Sequence, residues 1–274
     1  LGGGLVRVFF VNSSYYFAGG TCQQSYFDDL TTFLGWVQAA GLRAIINVGI
    51  AVNSANTNAS EQAFGCFATR YQGNQGVYLW ELTNEPDQSG HWNSTFWGRL
   101  KTVYDSVKAQ DPTHEVTVAI GYGSSMAQLC QQSFVPDVPQ YHEYSPWGGP
   151  SANATFLSKV EGDIQQVYDA CGHRPVLIGE TGMPSAPSSC GLPSGCSETL
   201  QSEYLDLVMR AVAAKCGEVA GALVWTLTDF PAVPGAQGHY GVYAVVNGTY
   251  AAKPSAGVVG QFFKSGFSAC APAA

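Results

Sequence analysis

Seven short strand-like runs, at residues 4–10, 42–50, 77–82, 116–120, 140–144, 176–178 and 222–226, most of them apolar nearly throughout, are what most constrains this chain. Segments with helical spacing lie between most of them, at 26–40, 61–71, 95–110, 154–170 and 199–214, with another at 255–263. Strands this continuously apolar must be covered on both faces, so the alternation predicts a parallel sheet flanked by helices. The candidate site residues are spread over many strand ends, which favours a closed (β/α)8 TIM barrel over an open doubly wound sheet. No GxGxxG or phosphate loop is present, as a nucleotide-binding sheet would require. Residues 1–274 read as a single catalytic domain. A barrel of this kind wants eight strands, and the absent one would precede Leu5; either the barrel is irregular or the sequence lacks the first strand and helix.

Two of the runs pass straight into a glutamate and then a turn: Trp80-Glu81-Leu82-Thr83-Asn84-Glu85-Pro86 and Val176-Leu177-Ile178-Gly179-Glu180-Thr181-Gly182. A lone glutamate after an apolar run is ordinarily a solvated cap. Two carboxylates at buried strand ends are also what glycosidic cleavage needs. One protonates the leaving oxygen while the other stabilises or attacks the oxocarbenium-like carbon.

The rest of the composition fits an extracellular enzyme. Charged residues are only 12%, and the net charge of -8 comes without a basic cluster, which excludes nucleic acid and anionic membrane surfaces as partners. The eight cysteines are scattered, so they read as disulfides rather than as a zinc site, with Cys190–Cys196 expected as a local clip. Five sequons, at Asn12, Asn58, Asn93, Asn153 and Asn247, point with the cysteines to a secretory route. No 18-residue apolar run marks a membrane span. The five histidines include no ligand-spaced pair, so neither metal nor cofactor is expected. A monomer acting on a polysaccharide is the expected form.

Five marks in register carry a family resemblance: Arg7 in Val6-Arg7-Val8, Asn84-Glu85-Pro86, His142-Glu143-Tyr144, Glu180 in Gly179-Glu180-Thr181, and Trp225 in Leu223-Val224-Trp225. On these marks the chain resembles the clan A glycoside hydrolases and, within them, family five, over nearly its whole length. The resemblance implies a retaining hydrolase with Glu85 as general acid and base and Glu180 as nucleophile. In such enzymes the two carboxyls stand roughly 5 to 5.5 Å apart. Carboxylates that close cannot both ionise comfortably, so Glu85 is expected to be the protonated member.

The resemblance further implies that Arg7 and Tyr144 orient Glu180, that Asn84 offers its amide to the sugar 2-hydroxyl, and that Trp225 floors the sugar subsite. His142 and Tyr144 are two apart and share a strand face, with Glu143 on the other. Trp147, Trp92 and His91 follow strand ends and are expected to extend a sugar platform, whereas Trp36 and Trp97 at helical spacing are expected in the core. Glu81 shares parity with Glu85 and needs a partner that the sequence does not name. Trp80-Glu81-Leu82 and Trp147-Gly148 are similar to the β-mannanase branch, although Asp87-Gln88 stand where that branch usually has Arg and Cys. The implied activity is a retaining endo-β-glycanase on β-1,4-linked mannan or glucan. Exo action, β-1,3-glucan specificity and a catalytically silent carbohydrate-binding barrel are the alternatives.

Overall fold

The computed structural model describes residues 4–9, 17–18, 21–47, 57–90, 92–186 and 195–265. Asn12, His91, Cys190 and Cys270 therefore lie outside the described residues. Seven parallel strands are described: β1 (Leu5–Phe9), β2 (Arg43–Asn47), β3 (Val77–Asn84), β4 (Glu115–Ile120), β5 (Gln140–Glu143), β6 (Val176–Thr181) and β7 (Val219–Val224). They follow one another along the sheet in chain order. Helices alternate with them: α1 (Gln24–Ala39), α2 (Thr57–Tyr71), α3 (Ser94–Gln110), α4 (Gly123–Gln132), α5 (Asn153–Ala170), α6 (Glu198–Ala214) and α7 (Pro254–Ser265). This is the (β/α)8 TIM-barrel class with seven strands described.

By internal contacts the described residues form two compact units. The first spans Gly4–Tyr141 and Val167–Arg174. Its strands pair in parallel, with Val6 opposite Ala44, Ile46 opposite Trp80, Trp80 opposite Val116 and Ala119 opposite Gln140. Ala44, Ile45, Ile46, Leu79 and Leu82 are fully buried because helices cover the sheet with Leu30, Leu34, Phe64, Phe67 and Leu100. Each such Ile, Leu or Phe side chain contributes about 1.5–3 kcal/mol by leaving water. Trp80 sits among Phe67, Tyr71 and His114 at ring distances of 6.1 to 6.5 Å. Its indole N–H donates to Asp111 at 2.8 Å, which satisfies the one polar atom of an otherwise apolar side chain.

The second unit comprises His142–Gln166 and the described residues from Pro175 on. Strands β6 and β7 pair in parallel, and α6 turns Tyr204, Leu205, Val208 and Val212 inward. Ser197 caps α6, accepting the Leu200 N–H at 3.2 Å, as Asn93 caps α3 by accepting that of Phe96 at 3.1 Å. A hairpin joins Tyr243–Val246 to Thr249–Ala252 through Asn247-Gly248 at positive φ, the backbone that a two-residue hairpin turn requires.

Cys22 bonds Cys66, Cys130 bonds Cys171, and Cys196 and Cys216 are also disulfide-bonded. The disulfide reading of the cysteines thus holds for every described one. Among the described residues no helix is long and apolar enough to cross a membrane. Trp36, expected in the core, is 70% exposed. Helix α1 buries Phe27, Leu30, Leu34 and Val37, and position 36 falls on the opposite side of that stripe.

Candidate active site

The first unit presents Glu85 at the end of β3. The strand is bulged just before it: Glu81 pairs with Thr117 and Asn84 with Ala119, so three steps on β3 face two on β4. Glu85 then enters the left-handed region at φ 47°, uncommon for a residue with a Cβ, and opens a 3-10 turn over Pro86–Ser89. Bulges and such backbone recur beside active sites because they re-aim a side chain that regular pleating would bury. The turn is pinned from two sides. Glu85 N donates to Ala119 O at 2.9 Å, and Asp87 accepts the backbone N–H groups of Gly121 and Tyr122 at 2.8 and 3.2 Å. Asp87, a departure from the mannanase pattern, thus fixes the segment that follows Glu85.

Around Glu81, four residues before Glu85, lies a polar network. Arg7 donates to both oxygens of Glu81, from Nε at 2.7 Å and Nη2 at 2.6 Å, and Nη2 also donates to Asn84 Oδ1 at 2.6 Å. Asn47 and Gln140 complete the carboxylate at 2.5 and 2.7 Å. Burial pushes the Glu81 carboxyl up, but the Arg7 charge and the bonds from Arg7, Asn47 and Gln140 outweigh it and hold the group below the usual carboxylate range. The partner the sequence left unnamed is therefore Arg7. Asn47 and Gln140 were missed, although Asn47 is, with Arg43, a polar residue inside an otherwise apolar run.

The second unit presents Glu180 on β6, also at a bulge, since Ile178 pairs with Ala222 and Thr181 with Val224. Tyr144 Oη donates to Glu180 Oε2 at 3.0 Å, and His142 Nδ1 stands 3.7 Å from the same oxygen. Burial, then the Glu180 charge, pushes the Tyr144 hydroxyl far up, so it stays a donor throughout the working pH range. The Tyr144 ring meets Tyr240 edge-on at 6.4 Å, and Tyr240 is a site neighbour that sequence reading missed. Glu143 points away from this cluster and is buried, accepting the Ser145 N–H at 2.9 Å.

Trp225 follows β7, is half-buried, and its backbone N–H donates to Thr181 O at 2.8 Å, next to Glu180. Gly182 is required here, because a Cβ would come within 2.2 Å of Trp225 O. Trp147 departs from expectation. It is buried, its N–H donates to Asn153 Oδ1 at 2.9 Å, and its ring packs against Phe156 and Tyr204, so it has no face to offer a sugar. Trp92 is half-buried against Phe96 and Trp97.

The glycosyl hydrolase family 5 model, described as Cellulase, matches residues 2–220, and the chain belongs to that family. Among solved structures it is similar to a beta-glucuronidase of an uncultured Clostridium sp., at 16% identity and a TM-score of 0.71, covering 96% of this chain and 45% of that one. It is also similar to the beta-D-glucuronidase of Dictyoglomus thermophilum, at 15% identity and a TM-score of 0.67, covering 86% and 43%. A beta-glucuronidase of Ruminococcus gnavus in complex with D-glucuronic acid aligns at 21% identity and a TM-score of 0.67, covering 85% and 41%. The chain thus spans less than half the length of these structures, and at such identity the likeness is one of fold. No curated protein matches.

Proposed function

We propose that the protein is a secreted, retaining endo-β-glycanase that cleaves β-1,4-linked mannan or glucan by double displacement. Glu180 is the nucleophile and Glu85 the general acid and then base. The observation that carries this reading is the Tyr144 to Glu180 hydrogen bond. One carboxylate oxygen is held by a hydroxyl that does not ionise, which orients the other oxygen for attack at the anomeric carbon. Glu85, aimed by a bulge and a left-handed residue, takes the proton-transfer role, worth about 10²–10⁴-fold. His142, Asn84 and Trp225 contact the sugar, and Arg7 braces the Asn84 side; no cofactor enters the reaction.

Secretion and N-glycosylation are supported by the disulfides and by sequon placement. Asn58, Asn93 and Asn247 are exposed, whereas both ends of the Asn153 amide are engaged, with Trp147 Nε1 at 2.9 Å and Glu203 Oε1 at 2.7 Å.

The test is release of reducing ends from mannan, glucomannan, carboxymethyl cellulose, β-1,3-glucan and xylan, with an aryl β-glucuronide and a Glu180→Ala control alongside. Release from a β-1,4 polymer, abolished in a control that is folded by circular dichroism, is the expected result. Cleavage of the aryl glucuronide alone replaces the reading with an exo-acting glycosidase. Silence on every substrate by a folded chain replaces it with a binding barrel.

A further inference from the structure

Glu81 contacts no solvent, yet it is ionised and accepts four hydrogen bonds from three side chains. A buried carboxylate costs several kcal/mol in desolvation and offsets that cost only with complete pairing. Such a group four residues before the acid residue, on the same strand, is an expensive way to fill a core. Its bond set shows what it does. Two of the four bonds come from Arg7 in a planar fork, which fixes the plane of the guanidinium. Within that fixed plane Nη2 reaches Asn84 Oδ1 at 2.6 Å.

The consequence falls on the orientation of one amide. A side-chain amide has an accepting end and a donating end of nearly equal shape, and only its neighbours decide which way it faces. Arginine has donors only, so the reverse orientation of Asn84 would set N–H against N–H at 2.6 Å. We propose that Glu81 is a positioning residue which, through Arg7, locks the Asn84 amide with its oxygen inward and its NH2 outward. Asn84, exposed at the strand end beside Glu85, then presents only donors to the sugar hydroxyl next to the cleaved bond. That contact strengthens as positive charge develops on the ring, so the lock acts on the transition state more than on the bound ground state.

The inference rests on the glycosidase reading, and its test separates the two. Two variants are made, Glu81→Gln and Arg7→Lys. Lysine keeps a cation opposite Glu81 but cannot fork to Glu81 and Asn84 together. Each variant is assayed on an aryl glycoside of the repeating disaccharide that the enzyme cleaves, and on its analogue lacking the 2-hydroxyl at the cleaved sugar. We expect kcat/KM on the parent glycoside to fall about 10- to 100-fold, mostly in kcat, and on the 2-deoxy analogue less than about threefold. Equal losses on both substrates would mean that Glu81 merely supports the fold and would overturn the proposal. Unchanged rates in both variants would overturn it equally.

A readout without substrate keeps the lock testable if the wild-type enzyme cleaves neither compound. Exchange of the Arg7 side-chain N–H protons, followed by 15N NMR, should be slow in the wild type and at least about tenfold faster in Glu81→Gln. Exchange that is fast in both proteins, or unchanged by the variant, refutes the lock whatever the reaction is.

Discussion

Glu143 and Glu81 are both buried carboxylates, yet their surroundings push them in opposite directions. Glu81 has a cation in contact, whereas burial dominates at Glu143 and pushes its carboxyl up despite the Ser145 hydrogen bonds. A group whose folded pKa is raised binds its proton more tightly folded than unfolded. It therefore costs no stability below the unfolded pKa near 4 and costs progressively more as pH rises above it. Glu143→Gln removes that charge and keeps an oxygen for the Ser145 N–H. Its Tm should exceed wild type at pH 7, and the two should converge below about pH 4; a variant less stable at both pH values would refute the argument. At this scale sequence reading found the two strand-end glutamates, because an apolar run ending in Glu is visible without a structure. It could not find the orientation of Glu81 toward Arg7 and Asn84. Strict alternation pairs Glu81 with Glu85, but the bulge between Glu81 and Asn84 puts Asn84 in step with Glu81.

At the scale of elements, strands were legible and short connections were not. A strand covered on both faces is apolar at nearly every position, so six of the seven runs stood out, whereas β5, Gln140-Tyr141-His142-Glu143, is polar at three of its four positions. Helix α4 did not, because it buries only Gly123, Met126, Ala127 and Leu129 and opens among glycines and serines. Trp147 misled for a related reason: its place after a strand end predicts exposure, but α5 and α6 close over it with Phe156 and Tyr204. The loop after β7 holds Trp225 by bonds no pattern announces. Lys253, buried at the start of α7, donates to Asp229 Oδ1 at 2.8 Å and to Ser185 Oγ at 2.9 Å, which ties the segments following β7 and β6. Gly241 N donates to the same Asp229 oxygen at 2.9 Å, and Gln201 donates to the carbonyls of Met183, Tyr240 and Gly241. Removing one member of a buried pair strands the other charge. Lys253→Met should therefore cost about 3–5 kcal/mol in urea unfolding, and the double variant with Asp229→Leu should recover part of it. A double variant no more stable than Lys253→Met would show that the loss was packing and not charge.

Across the whole molecule the same bookkeeping of charge sets the response to acid. In the first unit Glu81, Asp111 and Asp137 all work against burial, the largest influence on each, and all end below their ordinary pKa. Asp111 accepts from Thr113, Trp80 and His114, and Asp137 from Tyr104, Lys108 and the Val116 backbone. A carboxyl with a lowered folded pKa contributes stability that is fully present above its unfolded value near 4 and is lost as pH falls through the folded one. The contribution of these three carboxyls should thus stay level from about pH 8 down to about 5, and Tm should fall steeply below about 4. Because Trp80 donates to Asp111 at 2.8 Å, its fluorescence reports this acid transition from inside the unit. Asp137→Asn should lower Tm at pH 7 yet flatten its fall in acid, because the variant has one fewer proton to take up on unfolding. Curves for wild type and Asp137→Asn that stay parallel from pH 7 to 3 would mean that acid acts elsewhere.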